Sequence, residues 1–271
     1  MADIELPNEE EALRALKNRF QKLFEFSRAA WRCASLVLVP EGKIGIGKGE
    51  FLSMCLTACY VKATRLFYSI YRLCERGLGD ETNLPLRALF ELYVRVKFLA
   101  TKVKDKNDFA RQWVLWCMAN DHKFLEQAER HFPDKRDERF NDWKKNIQAE
   151  KQKMTDDVWK KFLATGPWQC NFASLCEKVG LEKDYPMYAL ISGTSHGYDL
   201  FRYVRQLGRG VVEMDMSPIP RSIRQNLVVA ISLLHSILHL INAELGLDKS
   251  KQVDDIGRVA RMLMNEGSKE E

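Results

Sequence analysis

The feature that most restricts the fold is a run of nineteen residues at 227–245, LVVAISLLHSILHLINAEL, apolar on nearly every side of a helix. Such a helix must be surrounded, either by other helices or by lipid, and crossing a bilayer takes about 20 apolar residues. Here His235, Ser236, His239 and Asn242 interrupt the run, and Glu244 stands near its end. Those groups favour the centre of a helical core, where neighbouring helices can satisfy their hydrogen bonds.

Helical spacing dominates the rest of the chain. It predicts helices over 9–39, stopped by Pro40 and Gly42; over 50–76, ending near Gly77 and Gly79; and over 83–104, with Asn83 as N-cap and Pro85 in the first turn. Others are expected over 107–131, stopped by Pro133, and over 171–179, 185–207, 222–245 and 251–265. Residues 134–165 are strongly charged with few apolar positions, as in a surface helix pair or a protruding arm. The stretch 208–220, GRGVVEMDMSPIP, reads as a loop with a short extended piece at 211–216. No strand alternation recurs and no repeat of fixed period is found. The expected fold is all-α: one multi-helix, bundle-like domain over residues 1–271 with a charged helical arm at about 134–165.

Apolar residues make up 46% of the chain, enough for a sizeable core. A net charge of +5, with acids and bases interleaved, is compatible with nucleic acid without demanding it. The seven cysteines are an odd number scattered through apolar segments, with no Cys-x-x-Cys pair, so they read as reduced core thiols and not as disulfides or zinc ligands. The acidic start MADIELPNEEE lacks the basic and apolar regions of a signal peptide, which points to a cytoplasmic protein with no membrane partner. Long apolar helices also suit a homodimer.

Two motifs that resemble ligand sites give way to simpler readings. GKIGIGKG at 42–49 has the glycine and lysine spacing of a phosphate-binding loop, but Gly49 stands where the magnesium-binding hydroxyl belongs, and no strand–helix alternation surrounds it. A glycine-rich connection between helices is the better account, with Lys43 and Lys48 able to meet an anion. His235 and His239 lie one helical turn apart, yet the glutamate of the zinc-protease motif is replaced by Ser236. They read as core histidines, and no metal or cofactor is expected.

Two other constellations stand out. Arg87 and Glu91 are four apart in LPLRALFELYVRVKFLA, and Tyr188, Ser192 and His196 are spaced by four in YPMYALISGTSHGYDLF. Spacing by four places each set on one face of a helix. Charges on a buried face need partners, so the first pair either specifies packing or belongs to a site. His196, between Gly193 and Gly197, has the side chain best suited to acid–base work near neutral pH.

These residues resemble the motifs of the bacterial domain-of-unknown-function 5677 family: an Arg-x-x-x-Glu in an apolar helix and a later Tyr-x-x-x-Ser-x-x-x-His. The preceding helix, with Arg65 and Tyr68 before the Gly77–Gly79 turn, also fits, and the resemblance covers roughly 50–245. It implies an all-helical fold and no defined activity. A weaker likeness is to the helical nuclease domains of toxin and defence systems, which place an arginine four to six residues before a histidine. No arginine stands at that spacing before His196, His122, His131, His235 or His239, which argues against RNase activity of that type.

Two functional readings follow. In the first, the chain is a hydrolase or nuclease: His196 is the acid or base, Arg87 stabilises a developing anion, Glu91 orients one of them, and Ser192 completes the catalytic set. Tyr188, Arg65 and Tyr68 are then binding residues. In the second, the polar centre is structural and the chain is a nucleic-acid- or protein-binding module, using Lys144, Lys145, Lys151, Lys153, Lys160 and Lys161 with Trp143 and Trp159 between them.

Overall fold

The structure, a computed structural model, describes residues 9–37, 50–131, 138–195, 204–208, 211–214 and 222–267. The glycine-rich loop at 42–49 and His196 lie outside the described residues. The elements are α1 (Glu9–Arg19), α2 (Gln21–Val37), α3 (Phe51–Glu75), α4 (Asn83–Lys102), α5 (Lys106–His131), α6 (Glu138–Lys151), α7 (Asp156–Thr165), α8 (Phe172–Lys178), α9 (Tyr185–Ser195), β1 (Val204–Gly208), β2 (Val211–Met214), α10 (Ile223–Leu245) and α11 (Ser250–Gly267). The fold is all-α, with one short antiparallel hairpin formed by β1 and β2.

The described residues cluster into two compact units. One draws on Met1–Gly45, Cys59–Val96 and Glu182–Glu271, the other on Ile46–Ala58 and Lys97–Leu181.

In the first unit α10 is the central helix. Ile223, Leu227, Ala230, Ile231, Leu234, Ile237, Leu238 and Ile241 are all buried, and they span a face too wide for a surface helix. Its neighbours α2 and α11 answer with Leu23, Ser27, Ala30 and Ala34 and with Val253, Ile256, Ala260 and Leu263, spaced three and four apart. Each fully buried aliphatic side chain contributes about 1.5–3 kcal/mol, so this stripe dominates the unit's stability. His235 is half-buried and lies against Gly257 of α11, where an added Cβ would sit 2.5 Å from Nε2. Burial, then His239 and Arg261, lowers the His235 pKa, as expected of a neutral packing residue. Among the described residues no group of three or more metal-ligating side chains occurs.

Three sequence expectations are corrected. The helix expected over 9–39 breaks at Phe20, although i to i−4 bonds run on both sides of the break, from Phe20 to Leu16 and from Phe24 to Phe20 (both 3.0 Å). Asn83 is not an N-cap. A 3-10 turn at Asp80–Thr82 leads into α4, and Asn83 is already helical at φ −56°, ψ −41°. Thr82 closes that turn, its hydroxyl donating to the Gly79 carbonyl (2.6 Å). Finally, the helix expected over 185–207 cannot hold, because Val204–Gly208 pairs as a strand with Val211–Met214. The sequence reason is local: Val204, Val211 and Val212 favour extended backbone.

In the second unit the charged segment forms α6 and α7. Ile147 and Trp159 turn inward to meet Leu115 and Ala119 of α5, with Phe162 and Leu163 alongside. Thr155 and Asn171 cap α7 and α8, accepting from the Val158 and Ser174 amides (3.4 and 2.9 Å). Trp168 stands edge-on to Trp113 and Trp116, with ring centroids 5.2 and 5.3 Å apart. Gly166 makes room for it at φ 63°, where an added Cβ would meet the Trp168 ring at 2.4 Å.

A buried polar bond ties α10 to the turn before α4. Asn226, only 6% exposed, donates from Nδ2 to the Gly79 carbonyl (2.9 Å) and to Thr82 Oγ1 (2.7 Å). Removing one partner of a buried hydrogen bond costs about 1–3 kcal/mol. Asn226→Ala is expected to lower the unfolding free energy from urea titration by that amount, and so to lower the midpoint, and Asn226→Asp, which keeps the shape but loses the donor, to lower it at least as much. Wild-type midpoints for both would remove this tie from the account.

Candidate functional site

The first constellation closes around one carboxylate. Helix α4 places Arg87, Glu91 and Arg95 at successive turns of one face, while Leu86, Leu89, Phe90 and Val94 face the core. Arg87 Nε donates to Glu91 Oε1 (3.1 Å), and Arg95 Nη2 lies 3.5 Å from Glu91 Oε2. The second constellation supplies a third donor: the Tyr188 hydroxyl, from α9, donates to Glu91 Oε1 (2.8 Å) across 97 residues of sequence.

The Tyr188 ring is wedged in place. Its centroid is 5.8 Å from Phe90 and 5.7 Å from Tyr185, and the Arg87 guanidinium lies over it at 5.3 Å. The side chains of Arg87 and Glu91 are 25% and 22% exposed, at the edge of the core and not within it. Partial exposure spares much of the desolvation cost that makes a fully buried pair expensive.

The electrostatics follow from this geometry. Burial, and then the bond to the Glu91 carboxylate, pushes the Tyr188 hydroxyl up to about 12, so it keeps its proton and remains a donor. Burial opposes the charge of Arg87, but the Glu91 hydrogen bond and Tyr188 outweigh it and hold the guanidinium above its ordinary value. With two arginines around one carboxylate, the cluster carries surplus positive charge.

The other expected site residues are placed differently. Ser192 belongs to α9, one turn beyond Tyr188, but its side chain lies outside the described residues, as does the whole of His196. Arg65 and Tyr68 are exposed on α3, where Tyr68 stacks on Trp31 (centroids 4.7 Å) and the Arg72 guanidinium lies 6.0 Å from its ring. These contacts draw Tyr68 toward α2 and a second cluster that sequence reasoning missed. There Tyr71 donates to Glu75 Oε1, Arg28 Nε donates to the Tyr71 hydroxyl (3.1 Å), and Arg72 Nη1 donates to Glu75 Oε2 (3.0 Å). The signal was present: Tyr71 and Glu75 are also four apart in an apolar helix. Their partner Arg28 could come only from tertiary structure.

None of the seven cysteines is in a disulfide. Burial pushes the Cys74 thiol up to about 12, which makes it inert as a nucleophile.

A pH consequence follows from Tyr188. A phenol whose folded pKa lies above its unfolded value of 10.0 contributes stability that is fully present below that pH and is lost as pH rises through about 12. The expected result is a phenolate absorbance transition near pH 12 that disappears in Tyr188→Phe, with a shallower loss of stability between pH 10 and 12 in that variant. A Tyr188 transition at its ordinary value would contradict the geometry.

No curated protein and no solved structure matches the chain. One family model does, over residues 54–210, which takes in α4, α9 and both constellations but stops before α10, short of the expected limit at 245. With more than half of its length matched, and with the Arg87–Glu91 and Tyr188 motifs inside the match, this chain belongs to the family of unknown function DUF5677.

Proposed function

We propose that the Glu91 cluster binds a phosphodiester or a closely related anion, and that the chain is a hydrolase of nuclease type. The observation that supports this reading is Arg87 and Arg95 one turn on either side of a single, partly exposed carboxylate, beside a tyrosine that keeps its proton. A guanidinium is suited to phosphate oxygens, and preorganised donors stabilise the charge that develops on them. In this reading Arg87 meets the anion and Glu91 orients it. Ser192, on α9, and His196, which follows in sequence, bring the hydroxyl and the acid–base group. The working picture is a cytoplasmic protein that needs no metal or cofactor.

A second reading also has a specific observation behind it. The Tyr188–Glu91 bond joins segments far apart in sequence, which is what a purely structural centre would do. Function would then rest on binding, with the lysines of α6 and α7 meeting RNA or a protein partner. Trp159 would take no part in base stacking, since it is buried in the second unit.

His196→Ala separates the two. As a general acid or base it accounts for about 10²–10⁴-fold in rate. The expected result is a loss of that size in cleavage of single-stranded RNA or of bis-p-nitrophenyl phosphate, with the unfolding midpoint unchanged. No turnover by the wild-type chain on either substrate, or full activity in His196→Ala, would overturn the hydrolase reading.

A further inference from the structure

The helices α1, α2 and α3 enclose an open cavity of about 410 Å³ that is separate from the Glu91 cluster. Its wall carries four cations, Lys17, Arg28, Arg72 and Arg76, against two carboxylates, Glu25 and Glu75. The charges are not equivalent. Arg28 and Arg72 both sit on Glu75, at 3.3 and 3.0 Å, and are held by it. Glu25 accepts from the Gln21 amide (3.0 Å). Lys17 and Arg76 make no ion pair among the described residues, so their charge faces the cavity uncompensated.

Helix ends explain part of this placement but not all of it. Cations favour the last turn of a helix, where carbonyls are exposed. At the end of α3, however, those carbonyls are already occupied: the Gly77 amide donates to Cys74 and the Leu78 amide to Leu73 (both 3.0 Å), with Gly77 at φ 75°. Arg76 therefore has little to gain from the helix itself. The ring of Phe24 adds an apolar wall beside the cations. A cavity of this volume falls at the lower end of the about 300–1,000 Å³ typical of small-molecule sites.

The geometry points to a binding site for a phosphate monoester with a small organic group, the phosphate held by Lys17 and Arg76 and the organic part against Phe24. The surplus of two positive charges matches a dianion, and the guanidinium of Arg28, fixed by Tyr71 and Glu75, is preorganised to add a donor. This site is independent of the proposed role of Glu91 and stands or falls separately.

Calorimetric titration of the full chain with AMP and with glucose 6-phosphate at low salt tests it. Arg28 ties α2 to α3, so the variants chosen are Lys17→Ala and Arg76→Ala, which break no bond among the described residues. At least one probe is expected to bind, and each variant to weaken it by about tenfold, the scale of one charge-assisted hydrogen bond. Arg87→Ala is expected to bind as the wild type does, and unchanged unfolding midpoints show that the variants are folded. Which of the two probes binds more tightly identifies the organic group. Absence of binding by both probes, or wild-type affinity in the Lys17→Ala/Arg76→Ala double variant, overturns the assignment.

Discussion

The hydrogen bond from Tyr188 to Glu91 is the interaction on which the candidate site depends. Arg87, Glu91 and Arg95 would meet on any helix with this sequence, because their spacing alone brings them together. Tyr188 arrives from another helix, and its hydroxyl reaches Oε1 only if α9 lies against α4 in one rotational setting. Turning α9 by one residue, about 100°, would carry the hydroxyl away from the carboxylate. The ring of Phe90, from α4, resists that turn by packing against Tyr188. The same setting fixes the course of α9 as far as Ser192.

A similar arrangement occurs at Glu75, where Tyr71 and two arginines surround one carboxylate at the edge of the core. The two clusters differ in what they join. Glu75 and Tyr71 share α3 and recruit Arg28 from α2, whereas Glu91 keeps its arginines on α4 and recruits the tyrosine from α9. In both, the carboxylate is over-compensated, which leaves positive charge at a partly exposed position. A fully buried ion pair would lose that charge to desolvation, and a fully solvated one would lose its geometry to side-chain entropy. The edge of the core is where a guanidinium stays both oriented and available.

The helices were legible in the sequence because their apolar spacing is strong. The run at 227–245 was placed in a core from its polar interruptions, and α10 is indeed mostly buried against α2 and α11, although it is long and apolar enough to cross a membrane. Breaks were harder to read. Phe20 continues the apolar spacing on both sides of the α1–α2 break, and the helical pattern of YDLFRYVRQL concealed β1 even though an extended piece at 211–216 was anticipated. Asn83 looked like a cap because propensity is local, while the real entry to α4 uses Thr82 and Asn226, the latter 144 residues away. At the site, each i,i+4 set was visible, but not that two of them meet. Arg95 obeys the same spacing rule as Arg87 and was overlooked, and Arg28 had no local signal at all.

The central claim is that Glu91 and Tyr188 act as one unit, and a double-mutant cycle measures it directly. Unfolding free energies of Glu91→Gln, Tyr188→Phe and the double variant give the coupling between the two side chains. Groups in contact show interaction energies of about 0.5–3 kcal/mol, and a bond to a charged acceptor belongs in the upper half of that range. The account predicts such a coupling. Single effects that add to within about 0.3–0.5 kcal/mol would mean that the two residues do not touch in solution, and would contradict it.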